Sequence, residues 1–174
     1  TIPDNVTSID KSAFNICHKL ASITVSAGNT IYHSAGNAII ETATKTLVLG
    51  CLTTIIPDDG SVISIGDSAF YGSNGVTSIT IPDSVISIGN NVFFFCYYLN
   101  SVTIGSGITS IGDSAFSMCN TTRLTITVNA TTPPTLGNSA ISAKQILVPA
   151  ESVDAYKAAS GWSSYADKIS AIAA

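Results

Sequence analysis

Ile81-Pro82-Asp83-Ser84-Val85-Ile86-Ser87-Ile88-Gly89, followed by Val92-Phe93, Cys96, Leu99 and Val102-Thr103-Ile104, is a phrase this chain says four times. The next copy repeats it as Ile108, Ile111-Gly112, Ala115-Phe116 and Cys119. The copy before it uses Ile56-Pro57-Asp58, Val62, Ile65-Gly66, Ala69-Phe70, Val76, Ile79 and Ile81. The first uses Ile2-Pro3-Asp4, Val6, Ile9, Ala13-Phe14, Cys17, Leu20, Ile23 and Val25. Ile65, Ile88 and Ile111 lie 23 residues apart, as do Gly66, Gly89 and Gly112. A fixed period of about 20–29 residues with apolar side chains at constant offsets is the pattern of a leucine-rich-repeat solenoid. A single unit cannot bury its own apolar edge and must stack on a neighbour.

Composition agrees with that architecture. Only 10% of the 174 residues are charged, against about 25% in ordinary globular chains. Ile, Val and Ala supply most of the 45% hydrophobic content, as expected when each rung is sealed by two others. The net charge is −4 and the seven basic residues are scattered, so a nucleic-acid footprint is absent. The longest apolar run, Val92 to Leu99, has eight residues, well short of the roughly 18 that a membrane-spanning helix needs. The expectation is a soluble domain with no span in this segment. The chain opens inside a repeat, at Thr1-Ile2-Pro3-Asp4, which reads as a piece of a longer protein or a trimmed mature chain. Four cysteines without C-x-x-C spacing suggest neither a zinc site nor a dense disulfide framework.

In each rung the pattern L-x-x-I-x-I alternates at period two, the mark of a strand with one face on the core. Stacked in parallel, these strands would form a sheet whose open face carries Ser22/Thr24, Ser78/Thr80 and Ser101/Thr103. The I-P-D step reads as a turn, since Pro fixes φ and Asp bonds nearby backbone. Asp67, Asn90 and Asp113 precede Ala69, Val92 and Ala115 by two residues, where a side-chain oxygen could cap a short helical turn. Ile9 and Ile65 are 56 apart, 33 more than one period, so an insert of about residues 26–54 follows the first rung. Within it Ala38-Ile39-Ile40 and Thr46-Leu47-Val48-Leu49 read as a hairpin. A degenerate fifth rung follows residue 119, with Pro133-Pro134-Thr135-Leu136-Gly137 and Ile146-Leu147-Val148. The register of Leu124-Thr125-Ile126-Thr127-Val128 is open by one residue. In the tail, Ser152 could start a short helix with Val153, Tyr156 and Ala159 on one face, and Gly161 would stop it. Residues 1–149 are thus expected to form the solenoid and residues 150–174 a C-terminal cap over its last rung.

These motifs resemble the BspA-like family of leucine-rich repeats, whose units read like I-P-x-x-V-x-x-I-G-x-x-A-F-x-x-C-x-x-L. The insert and the P-P-T-L-G … V-P … Y … G-W tail look like features of its bacterial members. The resemblance implies a right-handed β-rich solenoid with one parallel sheet, a hairpin insert and a helical C-terminal cap. It also implies an extracellular or cell-surface location and, for some members, adhesion to host proteins or cells.

The residues themselves point away from catalysis. Cys17, Cys96 and Cys119 occupy a core column, where free thiols are inert. A Cys96–Cys119 disulfide would have poor geometry because the Cβ vectors run parallel. His18 and His33 have no third group to orient them as bases. The repeated Asp residues read as turn and cap positions rather than as converging calcium ligands. Asn5, Asn120 and Asn129 sit in N-x-[ST] sequons, which a Ser/Thr-rich chain produces by chance. No catalytic residue, metal ligand or cofactor is therefore expected. The one uneven feature is aromatic: Phe94, Phe95, Tyr97 and Tyr98 stand where the first copy has Asn15, Ile16, His18 and Lys19. Packing under the outer face of the solenoid is the reading favoured for these rings, with an exposed contact patch as the alternative. The expected function is non-enzymatic binding of an extracellular protein or glycan. If a partner binds, Phe95, Tyr97 and Tyr98 are the expected anchor, with Ser101 and Thr103 as minor contributors. A structural spacer or stalk is the rival reading.

Overall fold

The computed structural model describes residues 1–173, so Ala174, the last residue of the expected cap, lies outside the described residues. After the first rung come β1 (Tyr32–Ala35), β2 (Ala38–Glu41) and β3 (Thr46–Leu49). The next two rungs supply β4 (Ser64–Ile65), β5 (Ser78–Ile81), β6 (Ser87–Ile88) and β7 (Ser101–Ile104). The remainder supply β8 (Ser110–Ile111), β9 (Thr125–Val128), β10 (Thr135–Leu136), β11 (Gln145–Val148), helix α1 (Val153–Ala158) and β12 (Ile169–Ala171).

The expected stacking of rungs is present, but it builds two sheets rather than one. The long strands form a five-stranded parallel sheet in the order β12-β11-β9-β7-β5. The second ladder comes from the S-I-G step, whose two-residue strands are too short to show the period-two alternation of a strand. Ser64, Ser87 and Ser110 stand side by side, as do Ile65, Ile88 and Ile111. Hairpin β2–β3 forms as expected, with β1 added as a third antiparallel strand. Its strand β3 then pairs in parallel with β4, so the insert extends the short ladder into a seven-stranded sheet. The open register after residue 119 resolves with Thr125 opposite Ser101, one residue longer than the standard period.

Side chains alternate as the strand pattern requires: Ile79, Val102 and Ile126 point in, while Ser78, Ser101 and Thr125 face outward. Between the sheets, Phe70, Phe93 and Phe116 form a continuous stack with ring centroids 5.0 and 5.1 Å apart. The Cys96 thiol donates to the Phe70 carbonyl and the Cys119 thiol to the Phe93 carbonyl, both at 3.2 Å. Both thiols are free. Burial pushes the Cys119 thiol up to about 12, and burial with the neighbouring Cys119 raises Cys96 further. Rungs approach so closely at the glycine column that a Cβ on Gly112 would lie 2.6 Å from the Gly89 carbonyl carbon.

Several expectations are corrected by the tertiary contacts. Asp67, Asn90 and Asp113 do not cap their own turns. Each Oδ1 instead accepts the backbone N–H of the next rung's Asn90, Asp113 or Asn138, at 2.7–2.8 Å. Asp83 likewise reaches across to the Ser106 N–H rather than to its own turn. Ser152 occupies the N-cap of α1 without a side-chain cap bond. Cys17 is exposed, and Ser22/Thr24 belong to no sheet. The first rung contributes only an isolated bridge between Ile2 and Val25. It packs with the insert in a separate small cluster around Ile23, Tyr32, Ile39, Leu49 and Cys51.

At the other end, α1 and the 3-10 segments Ala150–Ser152 and Trp162–Lys168 cover the last rung. Tyr156 and Trp162 are fully buried and meet edge to face at 4.9 Å. Each polar tip finds a backbone acceptor: Tyr156 Oη donates to Ala130 O at 2.8 Å and Trp162 Nε1 to Pro134 O at 2.7 Å. The helical segment then returns β12 to the edge of β11.

Candidate interaction surface

Each of the four clear copies turns between its inward Ala-Phe or Val-Phe pair and the following core position through one left-handed residue. That position is Ile16 (φ 62°), Gly72 (φ 67°), Phe95 (φ 62°) and Met118 (φ 55°) in successive copies. Glycine adopts this conformation without penalty. A β-branched or bulky side chain there is a conformational outlier. Inter-rung hydrogen bonds hold the strain in place. The N–H groups of Ile16, Gly72 and Phe95 donate to the carbonyls of Tyr71, Phe94 and Ser117, at 3.1, 2.8 and 3.3 Å. The same turn ties the first rung to the second, because His18 Nδ1 donates to the Gly72 carbonyl at 2.6 Å.

Three of the four left-handed residues are therefore apolar, and they face solvent. Ile16 and Met118 are 54% and 55% exposed, and Phe95 is half-buried. Between them lies an aromatic cluster. Tyr71 stacks on Phe94 at 5.4 Å and meets Phe95 edge-on at 6.0 Å. Phe94 and Phe95 are 4.4 Å apart, and Phe95 leads to Tyr97 at 5.7 Å. Tyr97 and Tyr98 remain 49% and 63% exposed. The favoured sequence reading, with these rings packed beneath the outer face, is corrected for the two tyrosines. Neither lies in the core.

The expected anchor residues fall on two elements. Phe95, Tyr97 and Tyr98 share the turn, whereas Ser101 and Thr103 lie on β7 in register with Ser78 and Thr80. Sequence reasoning missed Tyr71 and Met118. The available signal was the position before each Cys column residue, which is apolar in three copies. Among the described residues, no group of three His, Cys, Asp or Glu side chains converges to hold a metal ion. No described helix is long and apolar enough to cross a membrane.

The two ladders, the rung spacing and the conserved turn geometry define a leucine-rich-repeat protein. The family model for the BspA type leucine rich repeat region matches six copies over residues 1–36 and 63–147, and the chain belongs to that family. No curated protein sequence matches it significantly. The crystal structure of a leucine-rich repeat protein from Eubacterium ventriosum ATCC 27560 is similar, with a TM-score of 0.51 and 18% identity over 87% of this chain. At that identity the likeness shows the fold alone. The chain spans 50% of that protein.

Proposed function

We propose that this chain is a non-enzymatic binding module of a cell-surface or secreted protein, and that it holds a partner protein through the ridge of left-handed turns, as an adhesin would. The observation that carries this reading is the exposure of Tyr97 and Tyr98 in the same turn as Phe95, which, like the exposed Met118 of the next copy, is an apolar side chain at a strained position where glycine would suffice. Strain retained at a surface is a known companion of binding sites. Tyr is among the residues in which interface energy concentrates. Membership of the BspA-type repeat family supports a binding or surface role.

The test is a screen of the purified chain against matrix proteins and glycans, followed by paired variants on any ligand found. Tyr97→Ala with Tyr98→Ala should cost about 2 kcal/mol or more of binding per side chain, while stability stays within about 0.5 kcal/mol. Ser101→Ala with Thr103→Ala should cost roughly 0.5–1.5 kcal/mol of binding per hydroxyl. Loss of binding in the Ser/Thr pair alone would move the site to the sheet. Uniformly negative binding would favour the spacer role.

A further inference from the structure

The five-stranded sheet has an unfinished edge. Among the described residues, strand β5 pairs only with β7. The carbonyls of Thr77 and Ile81 accept from β7 and the residue after it, at Ser101 and Gly105. In a parallel ladder the groups of alternate residues point the other way, so the N–H and C=O of Ser78 and Thr80 face outward, without a partner among the described residues. The segment that should have paired with them is Leu52–Ile56, which occupies the strand position of its rung. It spans four steps from Leu to Ile where Leu99–Ile104 spans five. The insert also pulls it aside. The Ile55 N–H donates to the Gly36 carbonyl at 2.9 Å, and Thr54 Oγ1 to the Asn37 carbonyl at 2.8 Å. A cleft of about 430 Å³ is left between this segment and β5, lined among others by Ile55, Asp58, Ser78, Thr80, Pro82 and Thr103.

We infer that this cleft is a second binding surface, distinct from the aromatic ridge, and that it takes an extended segment of a partner protein as a parallel strand on β5, with a basic side chain at the segment's C-terminal end. Free strand-edge amides and carbonyls are satisfied in register only by another extended backbone, the principle of strand addition. Ile55, 77% exposed, supplies an apolar wall for alternate side chains of the guest. Asp58 and Pro82 both line the cleft, and Pro82 follows the last residue of β5, so a parallel guest brings its C-terminal end to the Asp58 carboxylate. Among the described residues no basic side chain lines the cleft, so that carboxylate complements a lysine or arginine. The guest strand is short, because Pro82 has no N–H and ends the ladder.

The probe is the peptide acetyl-Thr-Val-Thr-Val-Thr-Lys-amide, titrated into the isotope-labelled chain and followed by amide NMR. The Ser78 and Thr80 amides should shift saturably and exchange more slowly. Methylating the peptide nitrogens that face β5 should weaken binding roughly 10-fold through loss of two hydrogen bonds. Asp58→Asn should weaken the lysine peptide about 2–5-fold and leave a glutamine-ended peptide unchanged. Three results would overturn the inference: no response at Ser78 and Thr80, equal binding of the methylated peptide, or β5 shifts that track the chain's own concentration without peptide, which would mark the edge as a self-pairing surface. None of these outcomes depends on Tyr97 or Tyr98, so the double Tyr variant should bind the peptide normally.

Discussion

The first and third copies say the same phrase and fold to different degrees. Ile88, Val92, Phe93, Cys96 and Leu99 are at most 2% exposed, whereas their counterparts Ala13 and Cys17 are exposed and Ile9, Phe14 and Leu20 only half-buried. Both copies make the same left-handed turn, at Ile16 and Phe95. The phrase thus encodes a backbone path, and burial comes from neighbours on both sides. The third copy has a rung against each face. The first packs with the insert in a separate cluster, and its strand segment is held by the side chain of Asn37 rather than by a ladder. Asn37 Oδ1 accepts the Ile23 N–H at 2.9 Å and its Nδ2 donates to the Ala21 carbonyl at 2.8 Å.

The sharpest way to break this contrast is to truncate the equivalent phenylalanines. Phe93→Ala removes the middle ring of a three-ring stack and should cost about 3–5 kcal/mol in denaturant unfolding. Phe14→Ala, already half in water, should cost less than half as much. Equal losses would mean that the first rung is as integral as the third. Next in size is Gly112→Ala, whose Cβ meets backbone of the adjacent rung; a loss of about 1–3 kcal/mol is expected, as for other overpacked sites. Gly60→Ala, at a left-handed position with open space around it, should cost only about 1–2 kcal/mol.

Alkaline pH probes the buried thiol of the fourth copy. The buried Cys119 thiol titrates well above the ordinary value of about 8.5, near 12, so the unfolded state loses its proton first. Its contribution is intact below about pH 8.5 and is lost as pH rises toward 12, at roughly 1.4 kcal/mol per pH unit. Cys119→Ala should flatten that slope in pH-dependent unfolding. The smallest effect is expected at the ion pair between the rungs. Lys11 and Asp67 meet at 3.3 Å with side chains 68% and 34% exposed. Lys11→Ala should change stability by less than about 0.5 kcal/mol, and a larger loss would show the first rung to be held electrostatically.

The core was legible wherever a residue type recurred at a constant offset, as for Ile65, Ile88 and Ile111 or for the phenylalanine stack. The second ladder was not, because two-residue strands contain no alternation to read. The Asx column was legible as a set of capping residues, yet its oxygens serve the next rung's amides. Residue type reveals an acceptor but not whose N–H lies opposite it. In the candidate site, the excess of aromatics singled out Phe95, Tyr97 and Tyr98, while Met118 and Ile16 stood out only once their shared backbone conformation was known.

From sequence alone came the period, the inward set of the second to fourth copies, the hairpin and the family, because each follows from spacing along one chain. Only the tertiary structure decided that the insert joins the short ladder, that the first rung stays outside both sheets, and that β5 is left with an open edge. Those outcomes depend on which backbone groups from distant segments lie opposite each other in the folded chain. The segment Leu52–Ile56 is one residue shorter than Leu99–Ile104 and is bonded to Gly36 and Asn37, and one edge of β5 is left open beside it.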